Sequence, residues 1–193
     1  MSVTLRHPIK HYLQIRWVLN FIRDRYRYQV KTEVYQWKMI FLMHVPGKIG
    51  SFLRTRFMGF KHCGKGVTID DHVWIQAPEK ITIGDDCRIH RMVYLDGIGG
   101  IEIGSHSGIG SGVQIYSANH QYKDKNQLYY YQGYSLGKVV IEEDVWVGAG
   151  SVIMANVTLA KGTIVAAGAV VTKDSEPYTV IAGVPAKIIS KRE

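Results

Sequence analysis

The feature that most constrains this chain is an aliphatic residue at every sixth position across its C-terminal two thirds. The series slips twice by two residues, has one long interruption, and then runs without fault from residue 141 to residue 171. A period of six fits neither a helix nor an ordinary strand. It predicts a triangular solenoid with three short strands and about eighteen residues per coil, and one inward aliphatic side chain at each corner. The positions are Ile69, Ile75, Ile81, Ile83, Ile89, Leu95, Ile101, Ile103, Ile109, Ile115, Ile141, Val147, Ile153, Leu159, Val165 and Val171.

The first 65 residues differ from the repeat in both pattern and charge. They hold 13 of the 24 lysine and arginine residues against only two acidic residues, whereas the rest of the chain is slightly acidic. Apolar residues recur every three to four positions between Pro8 and about Met43, and a second such segment runs from Ile49 to Phe60, which predicts basic amphipathic helices. We therefore divide the chain into a basic helical region, residues 1–62, and a β-helix domain, residues 63–193.

The composition narrows the class of protein. Hydrophobic residues make up 46% and charged residues 21%, which disfavours a disordered chain. No apolar run approaches the roughly 18 residues that span a bilayer, and the first 30 residues lack the features of a signal peptide. Two cysteines, Cys63 and Cys87, cannot form a disulfide framework or a four-thiolate zinc site. We therefore expect a cytoplasmic protein.

The excess of positive charge, +8 overall, leaves the role of the N-terminal region open. A helical cap would cover the open end of the solenoid, as repeat folds require. Alternatively, a basic amphipathic helix can rest on an anionic membrane and hold the protein peripherally at the inner face. The two roles are compatible. We expect no nucleic-acid partner, because no recognised nucleic-acid-binding module accompanies the charge.

Several motifs resemble those of the hexapeptide-repeat acyltransferases. The likeness covers about residues 66–190 and points in particular to galactoside- and maltose-type sugar O-acetyltransferases and to surface-polysaccharide O-acetyltransferases. It implies a left-handed β-helix that assembles as a homotrimer and binds acetyl-CoA between subunits. The motifs are Asn119-His120 near the start of an inserted loop at residues 117–138, Val145-Trp146-Val147-Gly148, Val170-Val171-Thr172-Lys173-Asp174 and Gly183-Val184-Pro185-Ala186-Lys187.

His120 is the candidate catalytic residue. A hydroxyl acceptor is a weak nucleophile and needs a base when it attacks a thioester, and an imidazole can take that proton at neutral pH. In the family that this chain resembles, the histidine at this position is the general base. The alternative is a histidine that bonds a backbone carbonyl in a turn. Asn119 is a candidate catalytic partner or an ordinary turn residue.

The resemblance also assigns the groups that hold acetyl-CoA. It implies that backbone N–H groups of the turn at Ala149 and Gly150 hold the oxyanion, where galactoside-type members carry serine in place of Ala149. Trp146 would line the acceptor end of the groove, although packing at a coil corner explains it equally well. The Ala167 N–H would bond the pantetheine arm. The adenosine phosphates would meet a cluster that a solvated C-terminus explains as well: Thr172, Lys173, Lys187 and Lys191.

The acceptor site is less defined by the sequence. By its position 24 residues before His120, in the coil below, Asp96 is a candidate contributed by the neighbouring subunit. Tyr122 is a candidate because it is one of five tyrosines in the inserted loop, a number that argues against disorder. Such a loop should pack on the solenoid or on a neighbouring subunit.

These features predict transfer of an acetyl group from acetyl-CoA to a sugar hydroxyl in bacterial surface-polysaccharide biosynthesis. Attack is expected to be direct, because neither cysteine lies in the matched motifs. No metal is expected, since the solenoid histidines lack the close spacing of a zinc site. The alternatives are a streptogramin- or chloramphenicol-type xenobiotic acetyltransferase and a non-catalytic β-helix scaffold subunit. Serine acetyltransferase fits less well.

Overall fold

A computed structural model describes Arg23, Val30 and residues 33–193 of the chain. Residues 33–44 are helical, here called α1, and a second helix, α2, spans Gly47–Phe57. Most of the helix predicted from Pro8 onward lies outside the described residues. None of the described helices is long and apolar enough to cross a bilayer. The chain divides into compact units between Phe41 and Leu42, so α2 belongs to the unit that holds the repeat. The division between residues 62 and 63 stays a prediction.

Short strands follow α2 to the end of the chain. A 3-10 turn at Pro78–Lys80 separates β3 from β4, and another at Tyr129–Tyr131 separates β10 from β11. The strands are β1 His62–Cys63, β2 Thr68–Ile69, β3 Trp74–Gln76, β4 Ile81–Ile83, β5 Arg88–Ile89, β6 Tyr94–Asp96, β7 Ile101–Ile103, β8 Gly108–Ile109, β9 Gln114–Tyr116, β10 Ala118–His120, β11 Tyr134–Leu136, β12 Val139–Ile141, β13 Trp146–Val147, β14 Val152–Ile153, β15 Thr158–Leu159, β16 Ile164–Val165, β17 Val170–Val171, β18 Thr179–Ala182 and β19 Lys187–Lys191.

The strands form the three faces of a parallel solenoid. The first face has the order β1-β4-β7-β12-β15, the second β2-β5-β8-β13-β16-β18, and the third β3-β6-β9-β14-β17. β19 folds back antiparallel on β18 and extends the second face. Each strand thus pairs with the equivalent strand of the next coil. The mainly β solenoid with a helical N-terminal region, predicted from the period of six, is confirmed.

The repeat residues build the core of the solenoid. All sixteen of the aliphatic positions are at most 2% exposed. They lie within the strands rather than at the corners, and the turns between faces add further buried apolar side chains such as Val73, Val93 and Val113 beside their glycine and polar residues. Stacking like side chains in successive coils removes each from water, which is worth about 1.5–3 kcal/mol per large aliphatic side chain.

The coils are not all the same length, and this explains the two slips in the period. Paired residues are 20 apart in the first coils, as in Thr68 with Arg88 and Arg88 with Gly108, but 18 apart in the last, as in Trp146 with Ile164. The extra residues fall at one corner, between the third and first faces, in residues 77–80 and 97–100. The third coil carries its long insertion at that same corner.

α2 covers the exposed edge of the first coil. β2 is the terminal strand of the second face, and Ile69 in it would otherwise have an unpaired backbone. The Ile69 N–H donates to Ser51 Oγ at 3.0 Å, and its carbonyl accepts from Arg54 Nε at 2.9 Å. The fully buried Arg54 guanidinium also donates to the carbonyls of Leu42 and Val45, at 2.8 and 2.7 Å. These bonds fix one face of α2 against the solenoid.

The surroundings of Arg54 shift its pKa in both directions. Burial lowers the pKa of Arg54, whereas the negative charges of Asp71 and Asp70 raise it. An arginine remains protonated under such conditions because its ordinary pKa lies far above neutral pH. A cation with three carbonyl acceptors therefore holds the cap in place.

Candidate active site

The long insertion is a β-hairpin built on the corner between the third and first faces. β10 pairs antiparallel with β11, so that His120 lies opposite Tyr134 and Asn119 opposite Ser135. The base of the hairpin is tied to the coil below by the buried Ser117. Its hydroxyl donates to the carbonyl of Asp96 and accepts from the Gly99 N–H. The hairpin therefore projects from a fixed point on the solenoid.

His120 lies beside two aromatic rings at the edge of an open cavity. Its imidazole centroid is 4.2 Å from that of Tyr134 and 5.4 Å from that of Tyr129, which meets it edge-on. Among the described residues, no group forms a hydrogen bond with either ring nitrogen, so the alternative of a carbonyl-bonded turn histidine is not seen. The cavity measures about 430 Å³ and is lined by His120, Gln121, Tyr122, Lys123, Asp124, Gln132 and Ser135.

The hairpin does not pack on its own solenoid, contrary to one of the two arrangements expected from its tyrosines. Residues 120–131 are all exposed, and the five tyrosines are 59–73% exposed. The tip is instead held by internal bonds: Gln132 Nε2 donates to the carbonyls of Asp124 and Gln127, each at 2.8 Å. The tyrosine faces are thus available to a ligand or to another chain.

Three other residues were expected near the acceptor or beside His120, and the structure gives each a different environment. Tyr122 lines the His120 cavity, and Asn119 is half-buried, with its carbonyl accepting from Ser135 Oγ at 3.3 Å. Asp96 lies in the strand directly below the hairpin and is 6% exposed. Its carboxylate accepts from the Ile98 N–H at 3.1 Å, so it supports the turn beneath the hairpin.

The turn at Ala149 and Gly150 offers one free backbone donor. The Ser151 N–H bonds the Gly148 carbonyl, and Gly150 has φ +67°, which is the pattern of a type II turn. The Gly150 N–H donates to Ser111 O in the preceding coil at 2.9 Å. The Ala149 N–H has no partner among the described residues. Of the two predicted donors, only that of Ala149 is therefore available to an oxyanion.

The same turn recurs in the coils before and after. The turns at Ser111 and Ala167 also close with an N–H···O bond across four residues, and Gly112 and Gly168 each have φ +71°. In each turn the glycine N–H donates to the preceding coil, while the N–H of the exposed residue before it has no partner in the described part of the chain. The free N–H groups of Ala149 and Ala167 are thus stacked one coil apart.

Trp146 lies on the second face rather than at a corner. Its side chain is 58% exposed and covers Gly108, where an added Cβ would lie 3.7 Å from the indole. It borders a separate cavity of about 480 Å³ together with Asp86, Arg88, His90, His106, Ser107 and Gly108. Trp146 therefore does not share a cavity with His120 within one chain.

The residues expected near the CoA phosphates lie at the end of the solenoid. Thr172 and Lys173 are exposed after β17, and Lys187 and Lys191 begin and end β19. Lys191 Nζ is 3.4 Å from Glu176 Oε2. Arg192 beside them is structural, because it donates to Asp144 Oδ2 and to the Gly162 carbonyl, both at 2.9 Å.

Neither cysteine has the surroundings of a nucleophile. Burial raises the pKa of the Cys63 thiol and of the Cys87 thiol, and Cys87 Sγ donates to the Gly104 carbonyl at 3.1 Å. A raised pKa disfavours the reactive thiolate. No cluster of three or more histidine, cysteine or acidic side chains suited to a metal is found within residues 33–193.

Known proteins are similar to this chain in sequence and in fold. Residues 138–173 match the family described as bacterial transferase hexapeptide (six repeats). The chain is 32% identical over 166 residues to dTDP-4-amino-4,6-dideoxy-D-glucose acyltransferase of Escherichia coli, covering 72% of this chain and 86% of the relative.

Solved structures extend the likeness to most of the chain. A hexapeptide-repeat acetyltransferase of Vibrio cholerae, complexed with acetyl-CoA, has a TM-score of 0.75 with 28% identity and covers 82% of this chain and 86% of its own. A maltose O-acetyltransferase of Clostridium difficile has a TM-score of 0.68 with 25% identity and covers 83% and 86% respectively.

The solenoid and these likenesses define an acyltransferase that uses acetyl-CoA as its acyl donor. The chain belongs to the hexapeptide-repeat acyltransferase family.

Proposed function

We propose that this protein transfers an acetyl group from acetyl-CoA to a sugar hydroxyl in the synthesis of a bacterial surface polysaccharide, in the cytoplasm. The observation that carries the proposal is His120: an accessible imidazole with no hydrogen-bond partner among the described residues, at the edge of a cavity lined by amide, carboxylate and hydroxyl groups. Such groups suit the hydroxyls of a sugar, and the flanking tyrosine faces suit its ring.

The reaction needs no covalent enzyme intermediate. A ring nitrogen of His120 takes the proton of the acceptor hydroxyl while the oxygen attacks the thioester carbonyl. The Ala149 N–H donates to the carbonyl oxygen as it becomes an oxyanion. Collapse of the tetrahedral intermediate breaks the C–S bond, and the proton held by His120 passes to the departing CoA thiolate.

A homotrimer would bring these groups together. Within one chain, His120 projects from the corner between the third and first faces, whereas the free N–H groups of Ala149 and Ala167 lie at the corner between the second and third faces. In a trimer the hairpin of one subunit can reach the other corner of its neighbour. Acetyl-CoA would then run past Trp146, Ala149 and Ala167 toward Thr172, Lys173, Lys187 and Lys191.

A sugar amine is the second candidate acceptor. It is favoured by the relative from Escherichia coli, whose name gives a dTDP-linked 4-amino sugar as its acceptor. The same groups would serve, with His120 taking the proton from the attacking amine.

A thiol-release assay with acetyl-CoA tests the proposal. Maltose and other neutral sugars, nucleotide sugars, nucleotide-linked amino sugars, lipid-linked oligosaccharides and chloramphenicol serve as acceptors, and mass spectrometry identifies the O- or N-acetyl product. We expect turnover on a sugar hydroxyl. Turnover on chloramphenicol alone, or acetyl-CoA binding below detection, would refute the assignment.

Replacing Ala149 by proline should remove the oxyanion donor and little else. Proline fits the second position of a type II turn, which has the φ that its ring imposes. Loss of one such donor lowers turnover by about 10²–10³. Steady-state turnover, acetyl-CoA affinity and the unfolding midpoint should be measured together, and we expect only turnover to change markedly.

Two variants serve as controls for this prediction. Ser111→Pro makes the same change in the equivalent turn one coil earlier and should leave turnover near that of the wild type. Ala149→Val adds bulk but keeps the N–H, so it should retain most activity. If Ala149→Pro and Ser111→Pro lose equal activity, the Ala149 N–H is not the oxyanion donor.

A further inference from the structure

Both described helices expose large apolar side chains that a water-facing helix would ordinarily avoid. On α2, Ile49 is 73% exposed and Phe52 65%. On α1, Val34, Trp37 and Phe41 follow one another at spacings of three and four, which places them on one stripe, and they are 62–71% exposed. Apolar stripes of this kind mark surfaces that contact something other than water.

Basic residues lie on the same face of α2. Lys48, Phe52 and Arg56 are spaced four residues apart, and Ile49 lies three residues before Phe52, so these four side chains are neighbours on one side of the helix. All four are exposed, and α2 contains no acidic residue. The face is thus apolar and positively charged at once.

The orientation of this face is fixed. The opposite side of α2 carries Gly50 and Arg54, both buried. A Cβ on Gly50 would lie 1.8 Å from the Val45 carbonyl, and Arg54 bonds three carbonyls. The helix therefore cannot turn its apolar side inward without breaking the cap, and Ile49 and Phe52 stay directed away from β2.

We propose that the outward face of α2, formed by Lys48, Ile49, Phe52 and Arg56, docks on the surface of an anionic phospholipid bilayer. Exposed aliphatic and aromatic side chains beside lysine and arginine are the composition of helices that lie in the bilayer interface. Charge argues against a second copy as the occupant, because residues 1–65 hold 13 basic and only two acidic residues and two such regions repel. The same charge favours a negative surface.

Vesicle flotation with the full chain tests this proposal. Vesicles of phosphatidylcholine are compared with vesicles that contain about 30% phosphatidylglycerol, a typical anionic surface. We expect binding to the anionic vesicles, little to the neutral ones, and release as salt rises from about 0.05 to 0.5 M, because screening weakens the attraction.

Two double variants separate the apolar and ionic contributions. Ile49→Ser with Phe52→Ser should weaken binding at least tenfold for each side chain, on the order expected for an apolar group left in water. Lys48→Gln with Arg56→Gln should weaken it about fivefold per charge, or roughly 25-fold together. The matched control is Met92→Ser with Leu128→Ser, whose side chains are 66% and 71% exposed elsewhere on the molecule and should leave binding unchanged.

The proposal would be overturned by equal binding to both kinds of vesicle, by wild-type binding of the Ile49/Phe52 variant, or by a self-association that this variant abolishes. Displacement of bound vesicles by a short oligonucleotide at equal phosphate concentration would likewise indicate a nucleic-acid surface instead. The His120→Ala variant should float as the wild type does. Membrane binding is thus measured independently of acyl transfer.

Discussion

Replacing His120 by alanine is expected to lower turnover by about 10²–10⁴, the range for loss of a general base, while acetyl-CoA still binds. The hairpin that carries the residue is held by its ladder and by Ser117, so the substitution removes an exposed ring without opening the fold. Turnover by thiol release, acetyl-CoA affinity by calorimetry and the assembly state by light scattering should be measured on the same preparation.

The control is His62→Ala, which removes an exposed imidazole from β1 at the start of the solenoid and should leave turnover unchanged. Added imidazole should restore part of the activity of His120→Ala, because it can enter the open cavity and accept the proton. Full activity of the His120→Ala variant would show that His120 is not the general base. A loss of acetyl-CoA binding equal to the loss of turnover would assign the histidine to cofactor binding instead.

Replacing Arg54 by methionine is expected to lower the free energy of unfolding by about 3–5 kcal/mol. Methionine can fill much of the volume, but the carbonyls of Ile69, Leu42 and Val45 lose their charged donor, and each buried acceptor left unpaired costs about 1–3 kcal/mol. Chemical denaturation followed by circular dichroism measures the change. If unfolding is irreversible, the shift in midpoint at a fixed heating rate replaces it.

The same helix supplies a matched control for Arg54. Arg56 is exposed two residues later, and Arg56→Met should leave stability nearly unchanged. If both variants lose the same stability, the effect comes from net charge and not from the buried hydrogen bonds. Limited proteolysis adds a local measurement, since loosening of the cap should expose the chain near α2 before the solenoid opens.

The solenoid was accessible to sequence analysis because its signal is repeated. Each inward position returns every six residues, and a single misjudged residue would not have hidden the period. The two places where the period shifts by two residues could be recognised in the sequence for the same reason. They correspond to longer turns at 77–80 and 97–100. His120 was predicted from its motif and not from geometry, and its role as the base stays a prediction.

Other features of the structure could not be predicted from the sequence alone. Arg54 and Arg56 look alike in the sequence, and only the packing of α2 on Ile69 buries one and exposes the other. Likewise, the tyrosine-rich composition gave no sign that Tyr134 faces His120, since this follows from the register between β10 and β11. Contacts between distant segments decide such features.

The availability of the Ala149 N–H could not be predicted either. Its neighbour Gly150 belongs to the same motif, yet the Gly150 N–H is bonded to the carbonyl of Ser111 in the coil before. That pairing depends on the spacing of 38 residues that the inserted hairpin creates between β8 and β13. The sequence motif identifies the turn, and the stacking of coils determines that the Ala149 N–H and not the Gly150 N–H is left without a partner among the described residues.

The corner that carries the hairpin also bears on how the proposed acceptor site can vary. Successive coils accept two extra residues there, or a whole hairpin, while the ladders on either side keep their register. Segments that differ in length and chemistry can therefore be exchanged at this position without rebuilding the core. Under the function proposed above, the hairpin would contact the acceptor, so exchange of this one segment would change acceptor preference and leave the proposed acetyl-CoA site intact.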